Sequence, residues 1–213
     1  MNRLLIVGAG GHARAVLSVA RAMGCWEIAG ILDRVRPLGA EQISGVNVIG
    51  NTSDAAELLA KGVRYAAIAI GDNAERASLQ ASLVAIGFNL PLLRHPSSLM
   101  EDYATAGDGT VICAGAIVCT GVQLGRGVIV NSGAIVDHES KVGDFVHVAP
   151  GCRIAGRVKI GSYTMLGIGS CVRDKVSIGA NTVVGAGSLV LKDLPANVVA
   201  YGNPARAAGQ ANQ

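Results

Sequence analysis

Two of the four histidines stand close together in the second half of the chain, and they are the side chains best suited to acid–base chemistry. His138 lies in the run Asp137-His138-Glu139, and His147 follows shortly after it. An imidazole can accept a proton at neutral pH, and a neighbouring carboxylate can orient the ring and stabilise its charged form. We therefore expect His138 and Glu139 to deprotonate an attacking amine or hydroxyl, a step that typically contributes ~10²–10⁴-fold to a rate.

A glycine-rich turn near the N-terminus supplies a second set of candidates. Its run Gly8-Ala9-Gly10-Gly11-His12 follows a predicted strand at residues 4–7 and precedes a predicted helix at residues 15–23. Such glycines let a phosphate approach the amides at a helix N-terminus, and an acidic residue after the next strand can bind a ribose. We expect a single nucleotide, as in a nucleotide-linked sugar, with NAD(P) or a purely structural turn as alternatives. The candidate substrate-binding residues here are Gly10, Gly11, His12 and Asp33.

The elements that position this turn alternate along the first part of the chain. Strands are predicted at residues 4–7, 28–32 and 65–70, and helices at residues 15–23, 53–61 and 74–86. This alternation predicts an α/β domain with a small Rossmann-like parallel sheet covered by helices. Asp72 and Asn73 follow the third strand. They are candidate substrate contacts, with an ordinary turn role as the alternative.

The second part of the chain repeats with a period of six residues. The residues at every sixth position from 106 to 190 number fifteen, and fourteen of them are Val, Ile or Leu. A period of six is typical of parallel β-helices, in which short strands alternate with tight corners. Eighteen residues then make one triangular coil, so the repeats predict five coils. Gly directly follows the aliphatic position seven times, and we expect it to supply backbone freedom at the corners.

Composition excludes several classes of protein. Only 15% of the residues are charged and 50% are hydrophobic, which argues against disorder, and no apolar run approaches the ~20 residues of a membrane span. The net charge of +3 comes without a basic stripe, so we expect no nucleic-acid partner. The N-terminus lacks the pattern of a signal peptide, which favours a cytoplasmic location. Five cysteines without C-x-x-C spacing indicate no thiolate metal site.

Three motifs together resemble a known family. G-A-G-G-H near the start, I-A-I-G-D-N from Ile68 to Asn73, and the ending Gly202-Asn203-Pro204-Ala205-Arg206 behind a hexapeptide column are similar to the sialic-acid O-acetyltransferases and nucleotide-linked amino-sugar N-acetyltransferases. The resemblance implies an all-β left-handed parallel β-helix, homotrimers with active sites between subunits, acetyl-CoA as acyl donor and no metal. It divides the chain into a nucleotide-sugar-binding domain, residues 1–95, and an acetyl-CoA-binding column with a C-terminal tail, residues 96–213.

The same resemblance assigns roles to individual residues. His138 is implied as the catalytic base and Glu139 as its partner. Asn131 is implied to help hold the site, His147 to contact the thioester of acetyl-CoA from across the subunit interface, and Arg206 to lie near the coenzyme A groove.

The register of the coils adds two expectations about the column. His138 and His147 fall outside the aliphatic columns, so both should face outward. Gly156 stands 18 residues after His138, one coil further on. We expect its missing side chain to leave room for the pantetheine arm and its N–H to stabilise the oxyanion.

The combined reading is acetyl transfer from acetyl-CoA to the amino group of a nucleotide-linked sugar of the 4-amino-4,6-dideoxy type, in cell-surface glycan biosynthesis, with His138 as general base. O-acetylation of a sialic acid or related sugar is the alternative, because it uses the same motifs. A zinc enzyme of the γ-carbonic-anhydrase type and a non-catalytic scaffold are less favoured readings. The column has only two histidines, too few for a three-histidine zinc site, and a scaffold does not require the His138-Glu139 pair. The nucleotide base, UDP, dTDP or GDP, stays open at this point.

Overall fold

The computed structural model describes residues 1–35 and 42–211, so the last two residues of the predicted second domain lie outside the described part. The N-terminal domain alternates strands and helices around one sheet with the strand order β3-β4-β2-β1-β5. All neighbouring strands are parallel except β3 and β4, which are antiparallel. Its elements are β1 (Asn2–Val7), α1 (Gly11–Ala22), β2 (Trp26–Leu32), β3 (Gln42–Ile43), β4 (Val46–Gly50), a 3₁₀ turn (Thr52–Asp54), α2 (Ala55–Ala60), β5 (Tyr65–Ile68) and α3 (Asn73–Ile86).

Period-two alternation along β1 explains why this sheet is covered on both faces. Leu4 and Ile6 pack with α1, whereas Leu5 and Val7 point to the other face and pack with the α2 and α3 side. The three predicted strands and three predicted helices are confirmed. Sequence patterns missed β3, which has two residues, and β4, which has five. They placed the start of α1 too late, since the helix begins inside the glycine turn at Gly11. No helix in the described ranges is both long and apolar enough to cross a membrane.

Seventeen two-residue strands, β6 to β22, then build the predicted column. Each strand pairs in parallel with the strand 18 residues away, as Val118 does with Val136 and Val136 with Ile154. The strands are β6 (Leu93–Arg94), β7 (Leu99–Met100), β8 (Thr105–Ala106), β9 (Val111–Ile112), β10 (Ile117–Val118), β11 (Gln123–Leu124), β12 (Ile129–Val130), β13 (Ile135–Val136), β14 (Lys141–Val142), β15 (His147–Val148), β16 (Arg153–Ile154), β17 (Lys159–Ile160), β18 (Met165–Leu166), β19 (Cys171–Val172), β20 (Ser177–Ile178), β21 (Val183–Val184) and β22 (Leu189–Val190).

The strands form three sheets, as expected of a triangular β-helix, and the arrangement is consistent with the left-handed form. We call them sheet I (β7, β10, β13, β16, β19, β22), sheet II (β8, β11, β14, β17, β20) and sheet III (β6, β9, β12, β15, β18, β21). A hairpin of β23 (Val198–Gly202) and β24 (Ala205–Gln210) extends sheet III. The column begins at Leu93–Arg94, just before the predicted domain boundary at residue 96.

The column is filled by the two residue columns that the repeat predicts. All fourteen aliphatic residues at the sixth positions belong to one buried cluster. A second buried position follows four residues after each of them, and several of the polar side chains there donate to a backbone carbonyl across the prism. Thr110 and Thr164, for example, donate to the carbonyls of Gly125 and Gly179 at 2.9 and 2.8 Å. Buried hydroxyls are therefore satisfied, as burial requires.

The expected role of the repeated glycines is wrong in part. Glycines directly after the aliphatic position, such as Gly107 and Gly143, do not adopt a positive φ; a Cβ there would lie 2.7 Å from the backbone nitrogen of the next coil. They permit close backbone approach. The corner residue with a left-handed backbone comes two residues later, as at Gly127 (φ 60°), and non-glycine residues such as Glu139 (φ 58°) and Arg157 (φ 61°) also occupy it.

The N-terminal domain packs on the first four strands of sheet III, β6, β9, β12 and β15. The outward-facing residues there are buried in four successive coils, and exposure begins only at Met165 in the next coil. These buried outward residues are Leu93, Val111, Ile129 and His147. The two domains thus share one apolar contact, formed by α1, β6 and the outer face of sheet III.

Candidate active site

His138 stands at the corner between β13 and β14, where sheets I and II meet. As predicted, the side chain faces outward, and it is 45% exposed in the single chain. Its Nδ1 lies 3.3 Å from Oε2 of Glu139, an arrangement that orients the ring and leaves Nε2 to act as base. The backbone N–H of His138 donates to Oδ1 of Asp137 at 2.7 Å.

Gly156 lies directly beside the His138 ring, as the coil register predicts. A Cβ at Gly156 would come within 2.6 Å of Cε1 and 2.9 Å of Cδ2 of His138. The space left by the missing side chain is therefore filled by the imidazole in the single chain, which differs from the expectation of a gap kept for pantetheine. The Gly156 N–H has no hydrogen-bond acceptor among the residues that the structure describes.

Glu139 is held from the next coil as well as by His138. The Nε of Arg157 donates to Oε2 of Glu139 at 2.7 Å, so the guanidinium and the imidazole share one carboxylate oxygen. The hydrogen bond from Arg157 is the main cause that lowers the pKa of Glu139, and the bond with His138 adds to it. The pair keeps Glu139 ionised beside the base. Sequence reasoning missed Arg157, although its spacing of 18 residues from Glu139 was a usable signal.

His147 occupies a different environment from His138. It faces outward from sheet III as expected, but it is covered by the N-terminal domain and is only 9% exposed. Its Nε2 lies 3.2 Å from Nδ2 of Asn131, and its ring centroid lies 6.1 Å from that of His12. His12, His147 and Asn131 therefore form one cluster at the domain contact. An exposed His147 was expected because the sequence does not show which sheet the first domain covers.

Burial keeps both clustered imidazoles neutral. Desolvation lowers the pKa of His12 to about 4, helped by the charge of Arg76. The pKa of His147 is also lowered to about 4, by desolvation first and then by His12 and Arg76, while the nearby backbone of Gly71 acts in the opposite direction. Nε2 of His12 and Nδ1 of His147 have no hydrogen-bond partner within the described residues. Both atoms are buried.

Arg76 fastens α3 to the column beside this cluster. The side chain is 1% exposed, and its Nε and Nη2 donate to the carbonyls of Gly127 (2.8 Å) and Phe145 (2.9 Å) on two successive coils. Nη2 also donates to Oδ1 of Asn73 at 2.7 Å. Burial lowers the pKa of Arg76 to about 10, which leaves it charged at neutral pH.

A cavity of about 370 Å³ opens at the carboxyl ends of β1, β2 and β5. This is the edge at which α/β sheets bind ligands. Gly10, Gly11, His12 and Asp33, all predicted from the sequence, line it. The N-terminus of α1 faces the cavity with Gly10 as N-cap and no side-chain cap. Further lining residues that sequence reasoning did not identify are Arg34, Thr52, Glu75 and Ser78.

Three of the predicted substrate residues, one of them also at the cavity, make structural contacts. Oδ2 of Asp33 accepts from the N–H of Ala9 at 2.6 Å and so closes the glycine turn. Asp72 caps α3 by accepting from the N–H of Glu75 at 2.7 Å. Asn73 is 6% exposed, and its Nδ2 donates to the carbonyl of Tyr163 at 2.8 Å, so its side chain belongs to the domain contact.

Arg206 lies far along the column, in the terminal hairpin opposite Tyr201, where it is exposed.

The cavity and His138 lie on different sides of one chain. The domain that carries the cavity is packed on sheet III and on the corner between sheets II and III, through Arg76 and Asn73. His138 stands at the corner between sheets I and II, which in a triangular prism is opposite sheet III. A single chain therefore does not bring the cavity to the base.

Comparisons with known proteins identify the same two parts. Residues 3–83 match the family described as PglD N-terminal domain, and residues 157–192 match bacterial transferase hexapeptide (six repeats). No curated protein matches the sequence.

Solved structures are similar over the whole chain. A histidine mutant of perosamine N-acetyltransferase from Caulobacter crescentus, in complex with CoA and GDP-perosamine, is 35% identical with a TM-score of 0.94, covering 99% of this chain and 98% of that one. The acetyltransferase domain of PglB from Neisseria gonorrhoeae FA1090, in complex with acetyl coenzyme A, is 34% identical with a TM-score of 0.90, covering 98% and 100%. WeeI from Acinetobacter baumannii AYE, 23% identical with a TM-score of 0.86, shares the fold.

Proposed function

This chain belongs to the PglD-type hexapeptide-repeat acetyltransferases and is an acetyl-CoA-dependent N-acetyltransferase of nucleotide-linked amino sugars, and from that premise we propose its acceptor and the residues that act on it. The acceptor is the amino group of a nucleotide-linked 4-amino-4,6-dideoxy sugar, in the biosynthesis of cell-surface glycans. The reaction takes place in the cytoplasm. The relative that binds GDP-perosamine supports an acceptor of this class.

His138 acts as the general base in direct transfer. The sugar amine attacks the carbonyl carbon of the thioester while Nε2 of His138 takes the proton from nitrogen. The tetrahedral intermediate then expels the thiolate of coenzyme A, which takes up a proton as the C–S bond breaks. The observation that carries this role is the outward imidazole with Nδ1 on Glu139 and Nε2 beside an unpaired amide at Gly156. That amide donates to the developing oxyanion.

The cavity holds the nucleotide part of the acceptor. The N–H groups of Gly10 and Gly11 at the N-terminus of α1 face the diphosphate, since a helix N-terminus without an acidic residue in its first turn favours an anion. The unpartnered Nε2 of His12 contacts the sugar or a phosphate. Asp33 lines the cavity and contacts the ligand there, and Asp72 and Asn73 support the turn at the edge of the cavity.

Acetyl-CoA binds along the column next to His138. Gly156 contacts its acyl end and Arg206 lies near the groove that holds coenzyme A. Asn131 and His147, which contact each other, support the site from the domain contact. A direct contact between His147 and the thioester stays a prediction. It requires the thioester to reach the part of the domain contact where His12 lies.

The working unit is a homotrimer, because the cavity and the base lie on opposite sides of one chain. Sheet I presents an outward column of Leu99, Ile117 and Ile135, partly exposed in the single chain, and β13 of this sheet runs directly into the His138 corner. Sheet II presents Gln123, Lys141 and Lys159 at the equivalent positions. An apolar outward column adjacent to the base supports packing of a second copy there, so that the base of one subunit meets the cavity of its neighbour.

Coenzyme A release with a panel of acceptors tests the proposed reaction. Acetyl-CoA is combined with UDP-, dTDP- and GDP-linked 4-amino sugars and with free sialic acid, and the free thiol is measured. We expect release with at least one nucleotide-linked amino sugar, loss of that release in His138→Ala, and no loss in the control His95→Ala. If only sialic acid gave release, O-acetylation would be supported instead. If none of the acceptors gave release, the proposal would be overturned.

The assembly has its own test. Ile117→Lys on sheet I should reduce the trimer to smaller species in light scattering, whereas Gln123→Lys on sheet II should leave it intact. Equal masses for the wild type and Ile117→Lys would contradict the assigned interface.

A further inference from the structure

We propose that Arg157 is a positioning residue that holds the Glu139 carboxylate against His138 from the next coil and limits how tightly that carboxylate binds the imidazole. The inference rests on the proposed function only in naming His138 as the base. It adds a third member to the His138-Glu139 pair.

The geometry that supports this is a carboxylate oxygen with two donors. Oε2 of Glu139 accepts from Nε of Arg157 at 2.7 Å and faces Nδ1 of His138 at 3.3 Å. A charge-assisted bond at the shorter distance is the stronger of the two. Arg157 therefore fixes the carboxylate, and the same carboxylate oxygen forms a weaker hydrogen bond with the imidazole.

Two consecutive residues of one coil are complementary to two consecutive residues of the coil before it. Gly156 leaves room for the His138 ring, and Arg157 pairs with Glu139. The Arg157 N–H also donates to the His138 carbonyl at 2.8 Å, which sets the register between the coils. Glu139 and Arg157 both have a left-handed backbone, so their side chains leave the corner at equivalent places in the two coils.

Other charged groups near this corner are fixed by different partners. Asp137 accepts from the His138 backbone N–H. Burial first, and then the charges of Glu101 and Asp137, raise the pKa of the Cys119 thiol. Lys175, one coil beyond Arg157, lies 4.0 Å from Asp174. Among these groups, Arg157 is the cation that contacts the carboxylate paired with the base.

Removing Arg157 should change proton transfer more than folding. Both partners of the Arg157–Glu139 pair are more than half exposed in the single chain, and exposed pairs contribute little to stability. Without the guanidinium, Glu139 is a full negative charge beside His138, and it favours the protonated imidazole. The pH at which activity falls on the acidic side should then rise.

The test is the pH dependence of kcat and KM in Arg157→Gln, Arg157→Lys, Glu139→Gln and the double variant. Arg126→Gln is the matched control, because Arg126 pairs with Asp144 over the same spacing of 18 residues at a corner away from His138. Arg157→Gln should move the acidic limb upward by about 0.5–1 pH unit and lower kcat several-fold at neutral pH, with KM changed less than about twofold. Arg157→Lys should show a smaller shift than Arg157→Gln, since lysine keeps the charge but lacks the planar fork of the guanidinium. With Glu139→Gln present, Arg157→Gln should add little.

An NMR titration of His138 in the enzyme without substrates separates this inference from the proposed reaction. The midpoint should rise in Arg157→Gln and stay unchanged in Arg126→Gln, whether or not the acceptor has been identified. Superimposable titrations and pH profiles for Arg157→Gln and the wild type would overturn the role of Arg157. An equal shift in the Glu139→Gln background would also overturn it, because the effect would then not pass through the carboxylate.

Discussion

The two histidine sites of this molecule differ in almost every physical property. His138 is nearly half exposed in the single chain, its ring packs against the backbone of Gly156, and a carboxylate and a guanidinium lie beside it. His147 and His12 lie close together where the two domains meet, have no acidic partner within residues 1–35 and 42–211, and have pKa values lowered to about 4. The first site is built to gain and lose a proton, and the second is built to stay neutral.

The difference shows that outward orientation on a β-helix does not determine environment. Both histidines leave the prism, but the sheet beneath His147 is covered by the N-terminal domain while the corner of His138 is left for a partner. A neutral imidazole can bind or orient a ligand, whereas a solvent-accessible imidazole oriented by an acid can act as base. Substitutions at the two sites should therefore change different quantities.

Filling the glycine beside the base should strongly reduce activity. The added methyl of Gly156→Ala overlaps the His138 ring, which must swing away from its present position. We expect kcat to fall by about 10²-fold or more, with an unchanged melting temperature, because a misplaced base loses most of its contribution. Gly209→Ala, where a Cβ meets nothing within 4 Å, is the control for glycine replacement. Normal turnover in Gly156→Ala would show that activity does not depend on the packing of the His138 ring against Gly156.

Removing the buried arginine should affect the second site through stability. Arg76→Met leaves the carbonyls of Gly127 and Phe145 without their donors in a buried contact. Each unsatisfied group costs about 1–3 kcal/mol, so the free energy of unfolding should fall by roughly 3 kcal/mol or more. Chemical denaturation measures this, with Arg126→Met, which loses only an exposed ion pair, expected to cost less than about 1 kcal/mol. Similar losses in both variants would mean that the domain contact does not depend on Arg76.

Acid should destabilise the second site before it affects the rest of the fold. The pKa values of His12 and His147 are about 4 in the folded state, against 6.5 for an ordinary imidazole, so the unfolded chain binds protons first as pH falls. Their contribution is complete above about pH 6.5 and is lost between there and about pH 4, at most on the order of 3 kcal/mol for each histidine. Denaturation at a series of pH values should give a smaller slope for His147→Asn than for the wild type. Equal slopes in the wild type and in His147→Asn would contradict the burial argument.

Activity of His147→Asn gives the finest distinction. If His147 supports the site from the domain contact, kcat should fall by less than in His138→Ala, and KM for the nucleotide sugar should change with it. Loss of turnover as complete as in His138→Ala would show that the two histidines share the proton-transfer step.

Local periodicity was sufficient to predict the column and its contents. Six-residue spacing identified each inward aliphatic residue, and the 18-residue coil placed Gly156 beside His138, because both follow from backbone geometry repeated without interruption. The same spacing carried signals that went unused. Leu93, Val111 and Ile129 form an outward apolar column that marks the covered sheet, and Arg157 lies one coil from Glu139.

Contacts between the domains could not be predicted from such patterns. Arg76 reads as an ordinary charged residue on a helix, and only the folded chain places it against the carbonyls of two coils. His147 and Asn73 are buried for the same reason. Their environment depends on how two independently patterned segments pack, and neither segment encodes that packing in its own periodicity.

Mixed oligomers test most directly the central claim that the base of one subunit acts on the sugar held by its neighbour. His138→Ala and a cavity variant, Gly10→Val, are each expected to be inactive as pure proteins. Co-assembled at equal amounts, they should regain coenzyme A release at about a quarter of the wild-type activity, since some subunits then pair an intact base with a neighbour's intact cavity. Mixed trimers that form and stay inactive would mean that base and cavity must belong to one chain, and this would contradict the account.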